Sequence, residues 1–242
     1  SAPAFVASLS GRSVEGVGRR GKNLVLEVTG GGRLVVNLGM TGRLLFASGP
    51  PSTKPDPTHP GVRIRTSGGG TLWYDDARRF GRLHVMDTPS YRGWSRSLGP
   101  DPLGRRFTAE ALHAGLAASR SPLRSWLLDQ RKVAGVGNIY AVEALFLAGL
   151  HPRRQARSVD RTDASRLHRE VRRVLRQAIR YRGTTLRAYR DASGRSGENA
   201  PRLAAYGREG LPCNRCGTPI ERIVFSNRSA FLCPHCQPEP AG

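Results

Sequence analysis

Four cysteines constrain this chain more than any other feature. Cys213 and Cys216 form one Cys-x-x-Cys pair, Cys233 and Cys236 form a second, and sixteen residues lie between the pairs. Each pair delivers two thiolates from one turn, so the spacing predicts a tetrahedral four-sulfur zinc site. Four thiolates leave no open position for water, and the expected cofactor is therefore one structural zinc ion rather than a catalytic one. His235 sits inside the second pair as an alternative ligand, but four cysteines already suffice. The stretches 220–225 and 229–232 read as a hairpin between the pairs, with Arg228 near its tip. There Arg228 is either a solvated charge or a phosphate contact. A module so poor in core residues is expected to need its metal to fold. Confining all four cysteines to such pairs points to a reducing compartment, so a cytoplasmic location is expected.

Charge narrows the partners. The 242 residues carry 39 Lys and Arg against 18 Asp and Glu, a formal net charge of +21. A compact fold gains nothing from that self-repulsion, so the excess points to a polyanion, and nucleic acid is favoured over an acidic protein or a membrane surface. Only Lys22, Lys54 and Lys132 are lysines; the rest are arginines, whose planar forks suit phosphate and can stack on bases. No apolar run approaches the roughly 20 residues of a membrane span, so no membrane partner is expected. The opening residues lack the charged end and apolar core of a signal peptide. They read as loop, and without an initial Met the chain is expected to lack its natural amino terminus.

Along the chain, the first ~90 residues read as β-rich. Residues 24–28 and 34–38 flank Gly30-Gly31-Gly32 as a hairpin, with further strands over 62–66, 71–74 and 82–86. Several short strands with glycine turns predict a sandwich or barrel. Residues 49–60 form a proline-rich loop, and Leu98-Gly-Pro-Asp-Pro-Leu103 marks a boundary. Helices are expected over 107–119, from a Ser121 N-cap with Pro122 at the first helical position through 130, over 139–148 to Gly149, and over 162–181. The last of these places Leu167, Val171, Val174 and Ala178 on one face and its arginines largely elsewhere, most simply as a solvated face. Residues 189–199 read as flexible.

Between two short helices lies Gly135-Val-Gly-Asn138. Its glycines let the backbone approach another surface, and the helix start that follows offers free amides to a phosphate. Most such turns are only turns, so this reading is left open.

Eight segments, in order over nearly the whole chain, resemble the formamidopyrimidine-DNA glycosylase and endonuclease VIII family. They are Arg19-Arg-Gly-Lys22, Asn37-Leu-Gly-Met-Thr-Gly42, Asp76-Ala-Arg-Arg-Phe-Gly81, Leu98-Gly-Pro-Asp-Pro-Leu103, Val133-Ala-Gly-Val-Gly-Asn-Ile-Tyr-Ala141, Gly183-Thr-Thr185, Tyr206-Gly-Arg208 and the cysteine module ending at Gln237. Arg-Arg-Phe-Gly and Tyr-Gly-Arg look more like the formamidopyrimidine branch. The resemblance implies an α+β multidomain architecture: a β-sandwich domain over 1–97 with its amino-terminal part missing, a helix–two-turn–helix domain over 98–205 with a lesion loop over 185–201, and a zinc finger over 206–242.

By the same resemblance, Lys22, Asn138 and Arg228 grip phosphates around a lesion, while Met40, Arg78 and Phe80 fill the gap left by an everted nucleotide. Without it, Met40 and Phe80 would read as ordinary core. Arg124 stands where many members have lysine. Ala200-Pro-Arg202 replaces an aromatic often found near the lesion loop's end, which puts lesion preference in doubt.

The implied activity is bifunctional: removal of oxidised purines from duplex DNA, then cleavage at the abasic site, by a monomer whose partner is damaged double-stranded DNA. The family's terminal proline amine attacks the sugar and an adjacent glutamate moves protons. Neither is in this sequence. Pro3 has no free amine, and Lys22 is assigned to phosphate. The expectation is a chain that holds the binding apparatus without the nucleophile. Alternatives are an inactive damaged-DNA binder, an oxidised-pyrimidine glycosylase of the endonuclease VIII type, or a generic zinc-ribbon protein of RNA or ribosomes.

Overall fold

The computed structural model describes residues 2–48, 57–186, 191 and 194–239. It divides into two compact units, Ser1–Arg96 with Tyr181–Ala200, and Ser97–Arg180 with Pro201–Gly242. Most of the proline-rich loop expected over 49–60, and part of the lesion loop over 185–201, lie outside the described residues.

The first unit is a two-layer sandwich. One sheet has the order β1-β2-β3-β7, with β1 Val14–Arg20, β2 Asn23–Val28, β3 Gly32–Asn37 and β7 Arg82–Met86. The other has the order β4-β6-β5, with β4 Arg43–Ser48, β5 Pro60–Arg65 and β6 Gly70–Asp75. All pairings are antiparallel. Leu26, Leu34 and Val36 from one sheet pack with Tyr74, Leu44 and Leu72 from the other. Each such side chain, once buried, contributes about 1.5–3 kcal/mol.

Three elements depart from the sequence reading. The start is not loop: Ala2–Leu9 forms helix α1, because Phe5 and Leu9, one turn apart, both join the sandwich core. Strand β1 is disguised by Gly16, Gly18 and two arginines. Helix α2, Thr88–Ser97, is disguised by Pro89 and Gly93, and Asp87 caps it by accepting from the Ser90 amide at 2.8 Å.

The second unit is helical: α3 Ala109–Ala117, α4 Leu123–Leu128, α5 Asn138–Ala148 and α6 Arg161–Arg180, followed by the hairpin β8 Glu221–Phe225 and β9 Arg228–Leu232. Ser121 is not the cap of α4. Pro122 is, with no side-chain bond. The amides of Leu123 and Arg124 instead donate to the carbonyls of Arg154 and Pro152, so the neighbouring chain does what a serine hydroxyl would have done. Helix α4 ends at Leu128, two residues before the expected end.

Helix α5 is buried on nearly all sides. Ala141, Ala144, Leu145 and Ala148 join the helical core with Leu116, Leu127 and Leu167. Val142 and Phe146 join a second core with Ile220, Ala230 and Phe231 of the cysteine module. Glu143, between these faces, survives burial because its carboxylate accepts from the amides of Ala204, Ala205 and Tyr206 at 2.7–2.9 Å. Among the described residues no helix is long and apolar enough to cross a membrane.

Candidate functional site

In the first unit, two short crossovers run side by side. The loop 38–42 carries the chain from β3 to β4, and the loop 76–81 carries it back from β6 to β7. Since β3 pairs with β7 and β4 with β6, both loops span the same edge of the sandwich, between the Asn37↔Arg82 and Arg43↔Asp75 pairs.

Met40 and Phe80 sit on these loops and are 70% and 55% exposed, so neither is core. Arg78 lies between them: its Nη1 is 3.5 Å from Met40 Sδ, and its guanidinium carbon is 4.4 Å from the Phe80 ring centroid. Among the described residues no carboxylate pairs with Arg78. Two bulky apolar groups and a guanidinium thus face water together, an arrangement that solvent alone does not favour.

Glycine permits this packing. Gly39 has φ +61°, and a Cβ there would come within 2.8 Å of the Gly81 nitrogen. Lys22, exposed in the β1–β2 turn, is joined to the same region through its neighbour: Asn37 Nδ2 donates to Asn23 Oδ1, and Asn37 Oδ1 accepts from the Gly39 amide.

Beneath the loops lies Asp76, fully buried. Its Oδ1 accepts from Thr41 Oγ1 at 2.5 Å and from the Arg78 amide at 3.2 Å. Its Oδ2 accepts from Tyr74 Oη at 2.7 Å and from the Gly81 amide at 2.9 Å. Burial alone would raise the carboxyl's pKa, but the bonds from Thr41, Gly81, Tyr74 and Arg78 outweigh it and hold the group well below the usual carboxylate range. Burial and the bond to Asp76 push the Tyr74 phenol up.

A depressed folded pKa gives stability that is present above the unfolded value, about 3.9, and is lost as pH falls below it. The difference in melting temperature between the native chain and Asp76→Asn should therefore narrow progressively below about pH 4. A difference that stays constant on acidification to pH ~3 would contradict the assigned bonds.

In the second unit, Asn138 opens α5 and Arg228 opens β9, and one side chain joins them. Arg124, on α4, is 0% exposed. Its Nη1 donates to Asn138 Oδ1 at 2.8 Å and to the Ser229 carbonyl at 3.2 Å, and its Nη2 to the Phe225 carbonyl at 2.7 Å and the Arg228 carbonyl at 3.4 Å. The guanidinium also lies 4.0 Å from the Phe225 ring centroid. With Asn138 Oδ1 taken by Arg124, its Nδ2 donates to the Ser229 carbonyl at 2.9 Å, and the amide carries a second hydrogen to offer an acceptor. Burial and the neighbouring Arg228 charge lower the proton affinity of Arg124, and no carboxylate pairs with it among the described residues. The turn thus carries a positive field with an exposed Arg228 at its rim.

Sequence reasoning does not single out Asp76 or Thr41, and it marks Arg124 only as a change from lysine. An acid pair, Asp75-Asp76, one residue away from Arg78-Arg-Phe-Gly81 in so basic a chain is the available signal for Asp76.

Cys213, Cys216, Cys233 and Cys236 bring their sulfurs within 4.8 Å of one another. Separations are 3.9 Å for Cys213–Cys236 and 3.4 Å for Cys216–Cys233 and Cys216–Cys236. Thiolates about 2.3 Å from a tetrahedral zinc lie roughly 3.8 Å apart, so the donor set fits one structural zinc ion. So close a set of sulfurs spreads their proton affinities: contacts with Thr218 draw Cys216 down, while burial and the three neighbouring sulfurs push Cys236 up. Gln237 closes the site by accepting from the Cys233 amide and donating to the Leu150 carbonyl at the end of α5. His235 is not in the cluster.

Fold and site define a class: a β-sandwich with an exposed apolar and cationic tip, and a helical unit stapled by a four-thiolate zinc centre. Residues 1–83 match the formamidopyrimidine-DNA glycosylase N-terminal domain, residues 98–190 the H2TH domain of the same enzymes, and residues 210–238 the zinc finger found in FPG and IleRS. The chain belongs to the formamidopyrimidine-DNA glycosylase family.

The formamidopyrimidine-DNA glycosylase of Herpetosiphon aurantiacus is 43% identical over 233 residues, covering 96% of this chain and 84% of that protein. The enzyme of Moorella thermoacetica is 47% identical over 222 residues, covering 90% and 80%. Among solved structures, the MutM (FPG) protein of Thermus thermophilus superimposes with a TM-score of 0.87 at 44% identity, covering 97% of this chain and 86% of that one. The Lactococcus lactis Fpg in complex with abasic-site DNA gives 0.89 at 30% identity, covering 98% and 86%.

Proposed function

We propose that this chain serves base-excision repair as a DNA glycosylase and abasic-site lyase for oxidised purines, 8-oxoguanine and formamidopyrimidines, in duplex DNA. The observation that carries the proposal is the exposed trio of Met40, Arg78 and Phe80 on fixed loops, in a family whose Lactococcus lactis member has been solved with DNA containing N7-benzyl-Fapy-dG.

In this reading the work divides by chemistry. Lys22, Asn138 and Arg228 hold the phosphates around the lesion, which positions the duplex without reading its sequence. Met40 and Phe80 enter the stack where the damaged nucleotide has left, replacing lost apolar contact. Arg78 turns its donors to the acceptors of the orphaned base. The zinc ion holds the hairpin that presents Arg228. Three domains divide these tasks, over 1–97, 98–205 and 206–242, with the segment 185–201 as the lesion loop, and a monomer in the bacterial cytoplasm suffices.

The test is a duplex carrying a single 8-oxoguanine or formamidopyrimidine, incubated with the intact gene product in borohydride. Strand cleavage and a trapped covalent adduct are expected. Tight binding without either would overturn the enzymatic reading in favour of a damage-binding protein. Met40→Ala should weaken binding to a duplex with an abasic-site analogue by about thirtyfold, since truncating to Ala a Met that is buried in the stack costs about 2 kcal/mol.

A further inference from the structure

We propose that Asp76 is a positioning residue: its buried carboxylate locks the Met40 loop and the Arg78–Phe80 loop into one rigid tip, and so sets how strongly the protein prefers gapped to intact duplex. The inference rests on the gap-filling reading of the tip.

Each loop has one further tie to the sheets: Arg79 Nη2 donates to the Pro60 carbonyl on β5 at 3.1 Å, and the Gly39 amide donates to Asn37 Oδ1 on β3 at 2.9 Å. What joins the two loops to each other is the set of four donors converging on one carboxylate. Thr41 donates from the residue after Met40. The Arg78 and Gly81 amides donate from the two sides of Phe80. Tyr74 anchors the carboxylate to β6. A carboxylate is an acceptor at every lone pair, so it can satisfy all four at once; an amide in its place would turn N–H groups toward donors. Thr41 Oγ1 also accepts from the Arg78 amide at 3.2 Å, which links the loops directly.

Close packing adds a steric lock. A Cβ on Gly81 would fall 1.8 Å from Tyr74 Oη and 2.6 Å from the Asn37 carbonyl, so the second loop must pass flush against the strand ends. Loops already fixed in the shape that enters a stack avoid an ordering cost when they bind; loose ones incur it only where the tip is used, at a gap.

The experiment compares dissociation constants of the full chain for a duplex with one tetrahydrofuran abasic-site analogue and for the same duplex intact. Asp76→Asn should cut the gapped-to-intact preference about tenfold, or about 1.4 kcal/mol, with intact-duplex affinity unchanged to within about twofold. Thr41→Val should cut it by about threefold, as expected for one hydrogen bond, and Thr41→Ser, which keeps the hydroxyl, should restore it. The double variant Asp76→Asn with Thr41→Val should fall no further than Asp76→Asn alone, because both break one network.

Met40→Ala, run in parallel, separates the two claims. If Met40→Ala lowers the preference and neither Asp76→Asn nor Thr41→Val does, the positioning role is overturned. If Met40→Ala leaves the preference unchanged, the gap-filling reading fails and takes this inference with it. Equal losses on both duplexes would also overturn it, since they indicate general destabilisation. Should Asp76→Asn fail to fold, the Thr41→Val and Thr41→Ser pair decides alone.

Discussion

Removing the metal with a chelator should unfold the cysteine module and abolish DNA binding, without a selective effect on bond breaking. The hairpin that carries Arg228 is two strands of five residues, and an isolated two-stranded hairpin is marginal in water. Its local core is small, chiefly Ile220, Ala230 and Phe231 against α5. Metal binding in zinc-finger peptides contributes about 10–16 kcal/mol, far more than such a core supplies. Circular dichroism and a gel-shift titration before and after chelation check this, with an expected affinity loss of more than about a hundredfold, equal to about 2.7 kcal/mol. Retained binding in the metal-free protein would sink the assignment. Cys233→Ser should act in the same direction, because Cys233 is the buried ligand beside Gln237.

Arg124→Ala should be the most damaging single change away from the metal. It empties a fully buried site and removes a side-chain donor from the Phe225 and Arg228 carbonyls. Truncating so large a fully buried side chain and losing its hydrogen bonds costs about 3–5 kcal/mol. Arg124→Lys keeps the charge but lacks the fork, so an intermediate loss is expected. Denaturant unfolding measures both; a loss below about 1 kcal/mol for Arg124→Ala would mean the hairpin holds itself in place. Phosphate grip should weaken in parallel, because Asn138 loses the bond that orients its amide.

The two predictions draw on features of unequal legibility. The cysteines announce themselves because zinc chemistry needs fixed ligand types at short spacings, whatever the rest of the chain does. The amphipathic run of α6 is similarly local. Arg124 is hidden by number: it is one arginine in a chain where arginine is nearly the only cation, and burial alone sets it apart. Asp76 is hidden by topology, since its four partners come from separate points on β6 and two loops that meet only once β3 has paired with β7 and β4 with β6. Met40 and Phe80 mislead in the opposite direction. Their residue types say interior, and only their place on crossover loops leaves them in water. The capping of α4 also escapes the sequence, because the carbonyls that receive its first amides come from residues about 30 positions away.

Helix α5 leaves little of itself to water, and this limits how the protein can change around it. One face belongs to the helices and the other to the metal module. A version that dropped the module would bare Val142 and Phe146 as a sticky strip and take the Tyr206 amide from the Glu143 carboxylate. In this chain the zinc finger therefore shares a core with the helix it packs on. To lose the finger, this chain would have to rewrite the Val142 and Phe146 face of α5 at the same time, so changes on that face and on Ile220, Ala230 and Phe231 are expected to be coupled.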